Sequence, residues 1–224
     1  MSEFIVQVAG EKHLALAEAI CKEMEESAKI RGTGIAKRNP EYIREKMKEG
    51  KAIVATKDGR FAGFCYIETW GHGKYVSNSG LIVSPEFRKD GLATKIKEKA
   101  FDLTRTKYPD AKLFGLTTSA PVMKINSELG YRPVTFSELT DDEEFWKGCA
   151  GCINYPILMS KDKKMCFCTG MLYDPEEKQR KKWDFMKKSK LFERWQRFKK
   201  LRLLKGFVKE PLKTFASLFK LRPL

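Results

Sequence analysis

Two features are missing from this sequence, and each absence excludes a class of protein. No apolar run approaches the roughly 20 residues that a membrane-spanning helix needs. The amino-terminal segment has Glu3 before a short apolar run, whereas a secretion signal has positive charge and a longer apolar core. Hydrophobic residues make up 42% of the 224 residues, which also excludes a chain that is disordered overall. These features predict a cytoplasmic protein.

Positive charge is present in excess, but it is distributed unevenly. The net charge is +15, and residues 175–224 contribute +12 of it through seventeen Lys and Arg against five Asp and Glu. Residues 1–174 are therefore nearly balanced. This asymmetry predicts a main domain at 1–174, which includes a cysteine-rich segment at 148–170, and a basic tail at 175–224.

The hydrophobic spacing predicts strands and helices around one sheet. Apolar residues recur at three- and four-residue intervals over 13–29, which indicates an amphipathic helix, and Asp58-Gly59 is a hairpin signal. The predicted order is a strand (4–8), two helices (13–29, 40–50), three strands (52–56, 61–69, 75–83), a helix (91–106), a strand (113–117), a short helix (121–129), and strands at 152–159 and around 165. This order indicates an α+β fold with one mixed sheet.

Residues 81–94 carry the most specific functional signal. A strand ends at Val83, and a turn precedes a helix. Free N–H groups at a helix start bind anions, and a glycine lets a phosphate approach the backbone. The pattern therefore predicts a diphosphate site, although an ordinary strand–turn–helix with a capping glycine is the alternative. The candidate residues are Ile82, Val83, Arg88, Lys89, Asp90, Gly91, Leu92, Ala93 and Thr94.

This segment resembles the coenzyme A signature of the GNAT superfamily, an Arg/Gln-x-x-Gly-x-Gly/Ala turn matched here by Arg88, Gly91 and Ala93. Residues 113–131, which end in Leu-Gly-Tyr, look like the later strand and helix of that family. The resemblance covers about residues 4–160. It implies the GNAT fold, a mixed and mostly antiparallel sheet flanked by helices, and an enzyme that transfers an acyl group from acetyl-CoA or another acyl-CoA to an amine.

The resemblance also implies roles for individual residues. Ser119 and Asn126 are cofactor-binding candidates, although many members have Asn at the first position and a proton-donating Tyr at the second. Either another group protonates the leaving thiolate, or it leaves unassisted. Strands 75–83 and 113–117 are expected to separate around the pantetheine, with a backbone N–H near Val83 polarising the thioester. The catalytic base is Glu68 or His72, unless these are an ordinary strand-end carboxylate and a turn residue.

The loop between the first two helices contains the candidate substrate-binding residues Arg31, Lys37 and Arg38. Guanidinium groups suit carboxylates, so an acidic acceptor is one interpretation. A solvated loop, or contacts to coenzyme A phosphates, is the other. The chain further resembles a bacterial GNAT subgroup linked to arginine biosynthesis and regarded as N-acylglutamate synthases. That resemblance implies glutamate as the acceptor and acetyl or succinyl as the acyl group.

Four cysteines form a Cys-x-x-Cys pair and a Cys-x-Cys pair, at Cys149, Cys152, Cys166 and Cys168. Four thiolates on two tight turns can close a tetrahedral site, which predicts a structural zinc ion. Unrelated buried thiols and a redox pair are the alternatives.

In the basic tail, apolar residues from Leu191 to Val208 recur at helical spacing between lysines and arginines. Such a helix can pack on protein, lie on an anionic membrane, or bind nucleic acid, the last being least favoured. Two rivals to the glutamate acyltransferase stay open. One is an acyltransferase for a protein or another small amine, and the other is a non-catalytic GNAT-like module tethered by its tail. A homodimer is also left open.

Overall fold

The computed structural model describes residues 3–31 and 37–177, and the side chains of 3–30 and 37–177. The seven strands and six helices of this part lie as follows: β1 (Ile5–Val8), α1 (Ala17–Arg31), α2 (Pro40–Lys48), β2 (Ala52–Lys57), β3 (Arg60–Trp70), β4 (Tyr75–Val83), α3 (Leu92–Lys107), β5 (Lys112–Thr117), α4 (Ala120–Glu128), β6 (Arg132–Val134), α5 (Glu143–Lys147), α6 (Tyr155–Ser160) and β7 (Thr169–Tyr173). This confirms the predicted α+β class.

The strands form one mixed sheet in the order β1-β2-β3-β4-β5-β7-β6. All neighbours pair antiparallel except β4 and β5, which are parallel. Helix α3 makes the crossover between these two strands, as a parallel connection requires. Of the described strands, the last in sequence is β7, which lies between β5 and β6.

Side chains along the central strands point alternately to the two faces of the sheet, so the sheet has one core on each face. Phe64 and Tyr66 of β3 pack against α1 and α2 through Ile20, Met24 and Ile43. On the other face, Cys65 and Ile67 pack against α3 through its buried stripe at Leu92, Ile96 and Ala100. The spacing of that stripe is one helical turn, which explains why this segment folds as a helix on the sheet.

The structure corrects the predicted strand at 152–159. Those residues contain α6, which begins after Asn154 with Pro156 in its first turn. The strand expected around residue 165 lies further along, as β7. The predicted tail helix lies outside the described residues. No helix among the described residues is long and apolar enough to span a membrane.

Candidate active site

A gap opens in the sheet between β4 and β5. The two strands pair only where Tyr75–Ser77 face Lys112–Phe114. Beyond that point β4 continues to Val83 and β5 to Thr117 without pairing with each other, while β5 stays paired with β7. The unpaired edges leave backbone groups available to an extended ligand. The separation that the sequence resemblance implied is therefore present.

A bulge in β4 lies at the mouth of this gap. Phe64 pairs with Ile82 but Tyr66 pairs with Ser79, so β4 has one more residue than β3 between the two pairs. Gly80 lies within the bulge with φ +67°, and a Cβ atom there would lie 2.7 Å from Cε1 of Tyr66. A residue at this position must adopt a positive φ angle and leave room for the Tyr66 ring, and glycine does both without strain. The bulge therefore brings the Tyr66 ring directly against β4.

The turn that follows β4 has the backbone geometry that the predicted anion site requires. Lys89 and Gly91 have positive φ angles of 77° and 72°, and Gly91 is the N-cap of α3. No side chain caps that helix. A Cβ atom at Gly91 would meet nothing within 4 Å, so the space in front of the backbone is open. Uncapped N–H groups and open space are what a phosphate group requires.

Arg88, which was predicted to contact a phosphate, bonds to other parts of the protein instead. Its Nε donates to the Val83 carbonyl at 3.0 Å and its Nη2 to the Ser27 hydroxyl at 3.0 Å. The guanidinium also lies 3.6 Å from the Glu23 carboxylate. Arg88 therefore ties the turn to α1. The neighbouring predicted residues Lys89 and Asp90 are exposed on the same turn.

The other predicted cofactor residues are distributed around the gap and the turn. Ile82 and Leu92 are buried, Ala93 and Thr94 lie in the first turn of α3, and Val83 ends β4. Ser119 precedes α4, and its N–H donates to Thr117 Oγ1 at 3.1 Å. Asn126 is 1% exposed, yet its Oδ1 has no hydrogen-bond partner.

A polar cluster lies on the face of the sheet covered by α1 and α2. Arg38 Nε donates to the Tyr66 hydroxyl at 2.8 Å. Tyr42 donates to Glu68 Oε2 at 2.7 Å, and Lys46 Nζ forms an ion pair with the same oxygen at 2.7 Å. The Tyr42 and Tyr66 rings meet edge to face at 5.7 Å. Burial raises the pKa of Tyr42, as do Tyr66 and Glu68, so Tyr42 remains a donor.

The structure separates the two candidate bases. Glu68 lies in this polar cluster, on the face to which Tyr66 points, although its carboxylate is held by Lys46 and Tyr42. His72 lies on an exposed turn with φ +55°, at the end where β4 begins. The gap opens toward the other end of β4, on the order of 20 Å away at the rise of a strand. The structure therefore does not bring His72 to the gap.

The sequence pattern did not single out Tyr42, Lys46 and Tyr66 as site residues. The spacing of Tyr42 and Lys46 by one helical turn was the available signal, because residues four apart share a helix face. Of the predicted substrate residues, Arg38 is bonded to Tyr66, and Lys37 is exposed. The side chain of Arg31 lies outside the described part of the chain.

The four cysteines line one cavity of about 20 Å³, room for one water-sized guest. Burial and the neighbouring thiols of Cys152 and Cys166 raise the pKa of Cys149 to about 11. Burial, with the other three thiols, raises the pKa of Cys168 to about 12. Among the described residues, however, no three His, Cys, Asp or Glu side chains are placed to hold a metal ion. The structure thus brings the thiols together without supporting the predicted zinc.

Comparison with known proteins agrees with this geometry. Residues 17–123 match the model of the Acetyltransferase (GNAT) family. The fold is similar to N-acetylglutamate synthase from Neisseria gonorrhoeae complexed with coenzyme A and N-acetyl-glutamate, with a TM-score of 0.55 and 16% identity over 78% of this chain and 35% of that one. It is also similar to diaminobutyrate acetyltransferase EctA from Paenibacillus lautus, with a TM-score of 0.53 and 7% identity over 78% of this chain and 96% of that one. Identities this low show the fold alone.

One curated relative is of another kind. Large ribosomal subunit protein bL9 from Anaplasma marginale is 32% identical over 122 residues, which are 49% of this chain. The chain spans about half the length of that relative, at 50%, and about a third of the synthase chain, at 35%. The family match covers residues 17–123, just under half of the chain, and together with the seven-stranded sheet and its β4–β5 gap it shows that this part of the chain has the GNAT fold.

Proposed function

We propose that this domain transfers an acetyl or succinyl group from acyl-CoA to the amine of a small acidic acceptor, with glutamate as the first choice. The observation that carries the proposal is the position of Arg38, whose guanidinium is fixed on Tyr66 beside the mouth of the gap. A fixed guanidinium is suited to a carboxylate, because its planar donors match the two oxygens. A role in arginine biosynthesis follows only if glutamate is the acceptor.

Two structural neighbours support an amino-acid acceptor. The Neisseria gonorrhoeae synthase was determined with N-acetyl-glutamate, and the Paenibacillus lautus enzyme with its substrate L-2,4-diaminobutyric acid. Both molecules are amino acids or amino-acid derivatives that carry a carboxylate. In this chain, Arg38 would hold that carboxylate on the α1–α2 face of the sheet. The amine would then point into the gap, where the thioester is expected.

The reaction on this geometry is a direct attack of the amine on the thioester carbonyl. The ammonium form of the acceptor must first lose a proton, and Glu68 is the carboxylate on the acceptor face that can accept it, through a water molecule. The ion pair with Lys46 holds the Glu68 carboxylate in place on this face. Glu68→Gln should therefore lower kcat at neutral pH and lower it less at high pH, where the free amine is already present.

The test of the acceptor is kinetic. Arg38→Ala should raise KM for glutamate by roughly ten- to a hundredfold, since one charge-assisted interaction contributes about 1.5–3 kcal/mol. The affinity for acetyl-CoA should stay the same. Lys37→Ala is the matched control, because Lys37 is the adjacent cation and is exposed. It should change neither constant.

Three results would count against this proposal. Equal losses of acceptor and acetyl-CoA affinity in Arg38→Ala would assign Arg38 to the cofactor. If Arg38→Ala and Lys37→Ala raised KM for glutamate equally, the loss of positive charge alone would explain both effects. In the third result, the chain binds coenzyme A but releases no thiol with any carboxylate-bearing amine. That result would exclude an acidic acceptor without excluding acyl transfer to another amine.

A further inference from the structure

A buried lysine lies beneath the gap, on the face of the sheet opposite Arg38. Lys97 is in the middle of α3 and is 3% exposed. Its neighbour Ile96 packs with residues of β2, β3 and β4, including Cys65. One turn further along, Phe101 packs with Tyr131 and with β5 and β7. Lys97 therefore lies where these two halves of the sheet separate.

This ammonium group has no carboxylate partner in the described part of the chain. It lies next to the Tyr131 ring, with the centroid 5.7 Å from Nζ, and the Cys65 thiol. Burial lowers the pKa of Lys97, and Cys65 partly opposes this effect. An unpaired buried cation costs several kcal/mol, so its presence calls for a compensating role.

Two more buried polar groups close to this position lack a full set of partners. Asn126 Oδ1 makes no hydrogen bond, and the Tyr131 hydroxyl has only a weak interaction with the Asn78 side chain, although their residues are 1% and 4% exposed. The Tyr131 N–H donates to the Asn126 carbonyl at 3.0 Å, so the two residues are adjacent. Cys65 Sγ donates to Asn78 Oδ1 at 3.0 Å, which connects this region to β4 at the point where pairing with β5 ends. Unsatisfied buried groups in one place indicate a polar ligand.

We propose that Lys97 is the catalytic proton donor to the sulfur of coenzyme A. The inference rests on the proposed acyl transfer. When the amine nitrogen bonds to the carbonyl carbon, the C–S bond breaks and its electron pair remains on sulfur. The sulfur takes a proton from Lys97 Nζ, which becomes a neutral amine. The proton lost by the acceptor amine, relayed by solvent, restores the ammonium group.

The surrounding groups are less suited to this role. Asn126 has no proton of useful acidity. Burial raises the pKa of Cys65 to about 11, and its S–H is already bonded to Asn78. Burial also raises the pKa of Tyr131, an effect to which Cys65 and Tyr173 add and which Asn78 and Arg105 oppose. Lys97 supplies a protonated amine at this position. Its positive charge can stabilise the developing thiolate, and its N–H can then give the sulfur a proton.

The experiment measures the acidity of bound coenzyme A, so it needs no acceptor. The ultraviolet absorbance of the thiolate is followed against pH in the full chain, with the complex of desulfo-coenzyme A as the reference. Lys97→Met should raise the pKa of the bound thiol by at least about one unit, which is tenfold less thiolate at a given pH. Lys99→Met is the control, because Lys99 is exposed on the same helix. It should leave that pKa unchanged.

Turnover supplies the second readout. Lys97→Met should lower kcat by roughly a hundredfold and remove the fall of kcat at high pH, with KM for acetyl-CoA unchanged. Lys97→Gln, which keeps a polar group at the position, should show the same loss. An unchanged thiol pKa with normal kcat in Lys97→Met would overturn the proposal, as would a full effect in Tyr131→Phe instead. Failure of the wild-type chain to bind coenzyme A would instead overturn the proposed function.

Discussion

At the scale of single residues, two glycines have the backbone angles of the left-handed region for different reasons. Gly80 has φ +67° and is crowded by Tyr66, whereas Gly91 has φ +72° and faces open space. The first shapes the acceptor face of the gap. The second leaves room for a phosphate. Substitutions at these two positions should therefore fail in distinguishable ways.

Gly80→Ala should lower both stability and acceptor affinity. The new methyl would lie 2.7 Å from the Tyr66 ring, and Tyr66 accepts the hydrogen bond of Arg38. Gly73→Ala is the control, because Gly73 has φ +83° and nothing within 4 Å of a Cβ atom. Both substitutions carry the backbone cost of about 1–2 kcal/mol. Gly80→Ala should add about 1–3 kcal/mol from overpacking, measured by denaturant unfolding, and raise KM for the acceptor.

Gly91→Val should abolish acyl-CoA binding while the domain stays folded. Gly59→Val serves as the control, since Gly59 has φ +75° and equally open surroundings in the β2–β3 hairpin. Calorimetric titration with acetyl-CoA should show at least about a tenfold loss for Gly91→Val alone, because the methyl groups obstruct the backbone donors. Wild-type affinity in that variant would show that the phosphates bind elsewhere.

Residue-scale prediction from the sequence agreed best with the structure where the predicted feature depends on local backbone. The turn at Arg88–Thr94 is contiguous, so its spacing alone indicated the anion site, and only the orientation of Arg88 toward Val83 and Ser27 differed. The acceptor cluster joins Arg38, Tyr42 and Lys46 to strand residues 66 and 68. Those contacts depend on how α2 packs on β3, which no local pattern specifies.

At the scale of elements, the strands and helices before residue 130 were predicted closely, and those after it were not. The apolar residues of 152–159 suggested a strand, but Pro156 in the first turn favours a helix start there. The strand β7 inserts between β5 and β6. That placement is a long-range pairing, decided by burial of Met171 and Leu172 rather than by local spacing.

The cysteine-rich segment allows a direct test at this scale. Zinc remains a prediction from the spacing, because no metal-binding arrangement occurs among the described residues although four thiols line one cavity. Elemental analysis of protein purified without a chelating tag decides the point, because the spacing predicts one zinc per chain whereas the described residues support no metal site. If zinc is bound, Cys149→Ser and Cys168→Ser should each lose it, whereas Cys21→Ser, which packs against the core under α1 and α2, should retain it. Metal-free protein with four freely reactive thiols would leave ordinary buried cysteines as the explanation.

At the scale of the whole molecule, the charge is divided between two parts of the chain. Residues 1–174 are nearly neutral in sum and contain the whole β4–β5 gap and its turn, while the net charge of +12 belongs to residues 175–224. The chemistry and the basic charge are therefore separate in sequence. We expect a chain truncated after Asp174 to keep the kcat and KM of the full chain.

The basic tail is instead expected to control location, and its predicted apolar stripe suits an anionic lipid surface. Trp195 and Phe198 are three residues apart, and lysines and arginines lie between the apolar positions. Each cation near an anionic surface contributes about 1 kcal/mol, and salt weakens that attraction because it shortens the reach of the charges. Co-sedimentation with vesicles should therefore show binding to anionic but not neutral lipid, and release at high salt. The chain truncated after Asp174 should not sediment. Binding that ignores salt and lipid charge, or retention on RNA in place of vesicles, would exclude the membrane and assign the tail to a protein or nucleic-acid partner.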